Sequence, residues 1–235
     1  MNSATPRDTA AFEVREALAL SGCPVCRLAV RSVGRLIRSI AYEQVNDPGL
    51  RRGLREARGF CNQHAYRWLR EARTVLGTAL IYRDVLTSTL RAFEGAAVAI
   101  GQRCGLLRAL LGSEDSGSIR GGLCPACSTQ REAEDRYLEA LLASLTVDED
   151  TQLAFDASQG LCYRHAVAAV RRGGPAAERV LEQTRRATLA LISSLDEVIR
   201  KEDYRFRDEP RSEDERVAPA SAIAWAAGIE GLTDV

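Results

Sequence analysis

Six of the seven cysteines and both histidines of this 235-residue chain fall into two matching sets, and that pattern limits what the chain can fold into. Cys23-Pro24-Val25-Cys26 recurs as Cys124-Pro125-Ala126-Cys127, and Gly59-Phe60-Cys61-Asn62-Gln63-His64 recurs as Gly160-Leu161-Cys162-Tyr163-Arg164-His165. Every matched position is displaced by 101 residues, and in each copy 34 residues separate the second cysteine from the third. The same register aligns Asp47 with Asp148 and Leu80 with Leu181. A fixed period of this kind is read as repeat architecture, here one internal duplication of about 22–100 and 123–201.

Each copy reads as helical. After Pro24, apolar residues at Val25, Leu28, Ala29, Val33, Leu36, Ile37, Ile40, Ala41 and Val45 keep a period near 3.6, so one face is apolar. Proline suits the first helical turn, where its missing N–H leaves nothing unpaired. Asn46-Asp47-Pro48 then breaks the helix, and Asp47 is placed to cap a short second one, as Asp148 is in the second copy. A third helix begins at each Cys-x-x-His. A fourth runs from near Thr74 to Ile100, with Ala79, Tyr82, Leu86, Leu90, Phe93 and Ala97 on one stripe, and its counterpart runs from Pro175 to about Tyr204. A short helix over 8–20 directs Val14, Ala17 and Leu18 inward. The expected fold is all-α, with tandem halves of about four helices at 8–110 and 119–205. The segment 111–118 is a joint, and 206–235 reads as a flexible tail, charged and disordered over 206–220, whose more apolar end, Ser221 to Leu232, holds Trp225 and is left open to dock on the domain, on a partner or on neither.

Zinc takes four ligands in a tetrahedron and favours thiolate and imidazole. Cys-Pro-x-Cys puts two thiols on one turn, and Cys-x-x-His puts a thiol and an imidazole on one helix face. The reading is therefore two zinc ions per chain. One is held by Cys23, Cys26, Cys61 and His64, the other by Cys124, Cys127, Cys162 and His165, each tying the first helix of a half to its third. Buried cysteines often fill cores, but that leaves unexplained why both histidines sit three residues after matched cysteines. Iron–sulfur clusters accept the same ligands and stay open as an alternative. A dithiol redox site is weaker, because no strand–helix–strand pattern surrounds either pair and the histidines gain no role. Four protein ligands per site leave no position for water, and no carboxylate recurs beside the motif (Glu43 aligns with Ser144), so catalysis is not expected.

The charge is neutral overall, with 32 basic and 32 acidic side chains, but residues 1–110 carry 17 Arg against 9 acids. Arg51, Arg52, Arg55 and Arg58 form a basic run that is a candidate anion site and would serve a nucleic-acid-binding module. A solvated helix face explains the run better, since the second copy has Gln152, Leu153 and Asp156 there. Tyr66 and Trp68, flanking the first histidine, are read as core anchors. Cys104 has no repeat partner. The apolar stretch 74–100 is interrupted by Arg83, Asp84, Arg91 and Glu94, so no membrane span is expected. No secretory signal is visible, and the expected location is cytoplasmic, where paired cysteines bind metal more often than they form disulfides.

The run Tyr42-Glu43-Gln44-Val45-Asn46-Asp47-Pro48-Gly49-Leu50-Arg51, followed by Gly59-Phe60-Cys61-Asn62-Gln63-His64, resembles a bacterial family of uncharacterised function. Its pattern is a C-P-x-C start, an E-x-V-N-D-P segment and a C-x-x-H motif, then a second divergent copy. The resemblance covers roughly 8–205 and is best in the first half; Ala65-Tyr66 before Trp68 is a small departure. It implies the same eight ligand positions and brings no activity. The function expected is a metal-stabilised helical scaffold that binds a protein partner.

Overall fold

The computed structural model describes residues 6–101 and 122–233. Cys104, the joint at 111–118 and the expected boundaries at 110 and 119 lie outside the described residues. Within them the fold is all-α: α1 (Pro6–Leu18), α2 (Pro24–Ser39), α3 (Pro48–Glu56), α4 (Asn62–Glu71), α5 (Val75–Gly101), α6 (Pro125–Val147), α7 (Glu149–Ala157), α8 (Tyr163–Arg172), α9 (Pro175–Glu202) and α10 (Glu213–Ala227). A π-helical turn, Ile40–Gln44, follows α2 directly.

The local chemistry explains these limits. Pro24 and Pro125 open α2 and α6. Asp47 caps α3 by accepting from the Leu50 amide at 2.7 Å, and Asp148 caps α7 through the Asp150 amide at 3.2 Å. Gly173 and Gly174, at φ 70° and 84°, separate α8 from α9. Ser212 and Glu215 form a reciprocal capping box at the start of α10. Displacing α3 and α4 by 101 residues reproduces the bounds of α7 and α8.

The chain divides into two compact units, and the division departs from the expected halves at 8–110 and 119–205. Residues through Arg31 group with those from Arg131 onward, while Ser32 through Gln130 form the other unit. The boundaries fall inside α2 and inside α6, so each half contributes the start of its first helix to the unit built mainly by the other half.

The first unit buries Val14, Ala17 and Leu18 of α1 with Val25, Leu28 and Ala29 of α2, Tyr137, Leu138, Leu141 and Leu145 of α6, Phe155 of α7 and Val180 of α9. α9 packs on α8 and on α10. The expected flexible tail at 206–235 is corrected here, because α10 is docked. Lys201 and Glu215, both largely buried, pair at 2.8 Å, Ala218 is buried, and Ile229 and Leu232 join the core. Part of the dense charge of 206–216 is paired within the fold, Glu209 with Arg200, Arg211 with Glu202 and Glu215 with Lys201, and it is this charge that makes the segment read as solvated.

The second unit is centred on Val33, Ile37, Ile40, Leu54, Phe60, Trp68, Ile81 and Val85. Trp68 is fully buried, stacks on Phe60 at 5.6 Å and donates its indole N–H to Thr78 Oγ1 at 3.0 Å. Such a stack adds about 0.5–1.5 kcal/mol beyond the area it buries. Tyr66, expected beside it as an anchor, is exposed. The expected stripe on α5 is shifted: Ile81 and Val85 turn inward, while Leu86, Leu90 and Phe93 are 65%, 57% and 68% exposed. No helix among the described residues is long and apolar enough to cross a membrane.

Candidate metal centres

Four helix starts carry the cysteines. In α2 and α6, Pro follows the first thiol residue, so Cys23 and Cys124 stand just before the helix while Cys26 and Cys127 lie in its first turn. Cys61 and Cys162 are the N-caps of α4 and α8, with nearly equal dihedrals of −61°, 164° and −66°, 162°. A glycine at positive φ precedes each by two residues, Gly59 at 98° and Gly160 at 71°. Only glycine reaches that backbone region without strain, which explains the repeated Gly-x-Cys. The turns are backed at aligned positions of α5 and α9. A Cβ on Gly59 would meet the Tyr82 ring at 3.4 Å, and one on Gly160 would meet Gln183 Cγ at 3.4 Å.

The donors converge in two groups, and each crosses the repeat. Centre 1 gathers Cys23 and Cys26 with Cys162 and His165; centre 2 gathers Cys61 and His64 with Cys124 and Cys127. The expected ligand sets, with each ion enclosed by one half, are thereby corrected: every Cys-Pro-x-Cys faces the other copy's Cys-x-x-His. The motifs are alike in the two copies, so their spacing fits either pairing. Loop entropy does not choose between them, because a fourfold longer closed loop costs only about 1 kcal/mol more.

In centre 1 the His165 Nδ1 lies 3.5 Å from Cys23 Sγ, 3.3 Å from Cys26 Sγ and 3.2 Å from Cys162 Sγ, with Cys26 and Cys162 3.4 Å apart. In centre 2 the His64 Nδ1 lies 3.3 Å from Cys61 Sγ, 3.8 Å from Cys124 Sγ and 3.4 Å from Cys127 Sγ, with Cys61 and Cys127 3.6 Å apart. A zinc ion bound at about 2.3 Å to sulfur and 2.0–2.1 Å to nitrogen, with tetrahedral angles, places its donors about 3.5–3.8 Å apart. The two groups are close to that size, and within each all donors lie within 4.8 Å of one another. Two helix N-termini point at each group, and their partial positive charge favours thiolates.

Surroundings differ between the centres. All four donors of centre 1 are buried, whereas Cys61 of centre 2 is partly exposed. Burial, and then the Arg67 guanidinium, push the His64 imidazole down to about 4, leaving it neutral with a lone pair for a metal. Burial also opposes charge on His165, but hydrogen bonds to Cys162 and Cys23 outweigh it and raise the imidazole to about 10. Cys162 is correspondingly held down, first by its bonds to Cys23 and Cys26, while contact with Cys162 and Cys23 and burial push Cys26 up. Three thiols packed on one imidazole cannot all ionise without a cation to balance them.

Neither histidine Nε2 has a hydrogen-bond partner. Glu134 Oε2 stands 4.0 Å from His165 Nε2 and its other oxygen binds Arg164. The aligned position at centre 2 is Val33, buried and apolar. Arg164 also donates to the Thr233 carbonyl at 3.2 Å, and Trp225 lies against Tyr163 with ring centroids 5.8 Å apart, so the end of the chain covers the Cys-x-x-His of centre 1. Glu134 carried no sequence signal, since nothing in the repeat repeats it. Of the four arginines of the candidate anion site, Arg51 Nε and Arg55 Nη1 share the Asp84 carboxylate at 3.0 and 2.7 Å.

The model of a family of unknown function, DUF6062, matches residues 8–219. An uncharacterized 23.9 kDa protein in the xynA 3' region of Caldicellulosiruptor sp. (strain Rt8B.4) is 26% identical over 210 residues, covering 88% of this chain and 96% of that one. No solved structure matches.

Proposed function

The chain belongs to DUF6062, a family of unknown function, and we propose that it is a zinc-stabilised helical scaffold for a protein partner, with one ion in each centre. The observation that carries this is the spacing of the donors. Four donors that all lie within 4.8 Å of one another suit one ion, whereas the ligands of a two-iron cluster straddle two metal atoms. Four protein ligands close the coordination sphere, which suits a structural ion and not a catalytic one. The matching helix bounds at a shift of 101 support an internal duplication whose copies exchange their Cys-Pro-x-Cys turns. Each ion joins segments far apart in the chain, 136 residues between Cys26 and Cys162 and 66 between Cys61 and Cys127, so metal binding becomes folding energy. Nucleic acid is a poorer partner, because two of the four arginines in the basic run are already engaged by the Asp84 carboxylate, which offsets one of their charges. The exposed Leu86, Leu90 and Phe93 stripe on α5 offers an apolar face to a protein.

Metal analysis of protein purified with and without oxygen tests the proposal. The expected result is two zinc per chain and no visible colour, with cobalt substitution giving the absorption of a tetrahedral thiolate-rich site. Iron with sulfide, or less than one metal per chain, overturns it.

A further inference from the structure

The long helices α5 and α9 hold matched positions in the two copies, and the shift of 101 residues pairs Leu86 with Ala187, Leu90 with Leu191 and Phe93 with Ser194. On α9 these three positions are half-buried and line the cleft between α9 and α10, with Val217, Ala218 and Ser221 of α10 also lining it. On α5 the same face is bare: Leu86, Leu90 and Phe93 are each more than half exposed. The described residues of the second unit hold no helix equivalent to α10. A contiguous apolar stripe left open where the other copy is covered marks an interaction surface.

We propose that the cover is a second copy of this chain, its α5 laid antiparallel on the first. The stripe suits a helix of its own kind. Its spacing of four and then three residues is that of a coiled-coil seam. Arg83 borders the stripe, is exposed and forms no ion pair among the described residues. Glu94 follows it by 11 residues, about three turns, and so stands on the same flank of the helix. A two-fold interface is self-complementary, so a residue that meets a second residue of the other copy is met by it in return. In an antiparallel pair the axis also brings like flanks together. With the axis between Ser88 and Thr89, Arg83 of each copy meets Glu94 of the other, twice per dimer. In that register Leu86 of one copy stands between Leu90 and Phe93 of the other, and the two Leu90 residues lie beside the axis. Charge and apolar pattern therefore select one register. At 1.5 Å per residue α5 is about 40 Å long. One such helix pair is a small contact beside obligate interfaces of about 2,000 Å² and more, so the dimer should come apart on dilution. The inference rests on the scaffold reading only in taking the partner to be a protein.

Sedimentation velocity tests it on the full chain as purified, with a non-chelating reductant so that no disulfide joins copies. A reversible monomer–dimer equilibrium is expected. Leu90→Ser should weaken the dimer about a hundredfold, because each dimer loses two buried leucines. Leu90 is exposed in the single chain, so the variant should keep its fold, and Leu86→Lys gives a second reading of the same seam. Arg83→Glu and Glu94→Arg, each alone, should weaken the dimer about tenfold, as two ion pairs become two repulsions. An equimolar mixture of these two variants should restore it. Ile199→Ser, at an exposed position of α9, should change nothing. A chain that stays monomeric at every concentration assigns the face to another occupant and overturns the proposal, as does a dimer that survives both Leu90→Ser and Leu86→Lys. A mixture of the charge variants that stays monomeric overturns the antiparallel register. None of these outcomes decides the zinc reading, which metal analysis tests separately.

Discussion

Centre 1 and centre 2 use the same four donor types at nearly the same distances, yet they sit in different surroundings. Centre 1 is buried throughout, with Glu134 near its imidazole and the end of the chain laid over its Cys-x-x-His. Centre 2 has a partly exposed Cys61, an apolar Val33 where Glu134 stands in the other copy, and a His64 lowered first by its own burial and then by the buried Arg67. The ligand motif therefore sets which ion fits, and the residues around it set how firmly it is held. Two sites with the same ligands can therefore differ in lability.

The largest effect is expected from breaking the cross-pairing itself. His165→Ala and His64→Ala should each leave one zinc per chain. Combining Cys23→Ser with His165→Ala removes two ligands of one centre and should still leave one zinc. Combining Cys23→Ser with His64→Ala damages both centres and should leave none. Pairing within each half makes the opposite forecast for the two double variants, so metal analysis of the four proteins decides. Loss of a structural zinc also withdraws binding energy on the order of 10 kcal/mol, so the double variant lacking both ions should not fold cooperatively.

Next comes the order in which ions leave. Under a chelator the centre 2 ion should be released first, through Cys61, and centre 1 should follow only as the covering segment opens. Trp225→Ala should speed the second phase several-fold and leave the first unchanged. A single phase, or a Trp225 effect on the fast phase, removes the distinction drawn between the two centres. A finer test concerns Glu134. A carboxylate near the remote nitrogen of a metal-bound imidazole raises its basicity, and losing one costs about 10–100-fold in metal affinity. Because Glu134 is 4.0 Å away and also binds Arg164, Glu134→Gln should fall near the lower end, at centre 1 alone. Competition titration with a coloured zinc chelator measures it.

Much of this was legible in the sequence. Period and proline placement gave the helix starts, Asp47 and Asp148 gave their caps, and the paired motifs gave all eight donors. The partnership of the donors was not legible, because two like motifs with equal spacing satisfy either pairing and the difference in loop entropy is small. The ordered 213–227 helix was missed because its charges are paired in three dimensions, as between Lys201 and Glu215, and composition does not show that. The shift on α5 has a related cause. Leu86, Leu90 and Phe93 are as apolar as Ile81 and Val85, and only packing separates the covered face from the open one.

The smallest expected effect concerns the basic run of the second unit. Burial works against charge on Asp84, but hydrogen bonds from Arg55 and Arg51 hold its carboxyl below the usual carboxylate range. A lowered carboxyl stabilises the fold at any pH above its unfolded value, and that contribution is lost as pH falls through the lower, folded one. The pair is partly solvated, with Asp84 26% and Arg55 37% exposed, so Asp84→Asn should cost at most about 1 kcal/mol at neutral pH. The cost should disappear only once the carboxyl of the parent protein is itself protonated. Urea denaturation of the zinc-loaded protein at pH 7 measures the cost; the carboxyl protonates only at a lower pH than the one at which thiolates release zinc, so the cost should persist through the whole range in which both centres keep their ions. The same variant releases Arg51 and Arg55 from their counter-charge. If the arginine run is an anion site masked by Asp84, Asp84→Asn should bind heparin in a salt-dependent way where the parent does not. If the run is a structural face tied to α5, heparin binding should stay absent while stability falls.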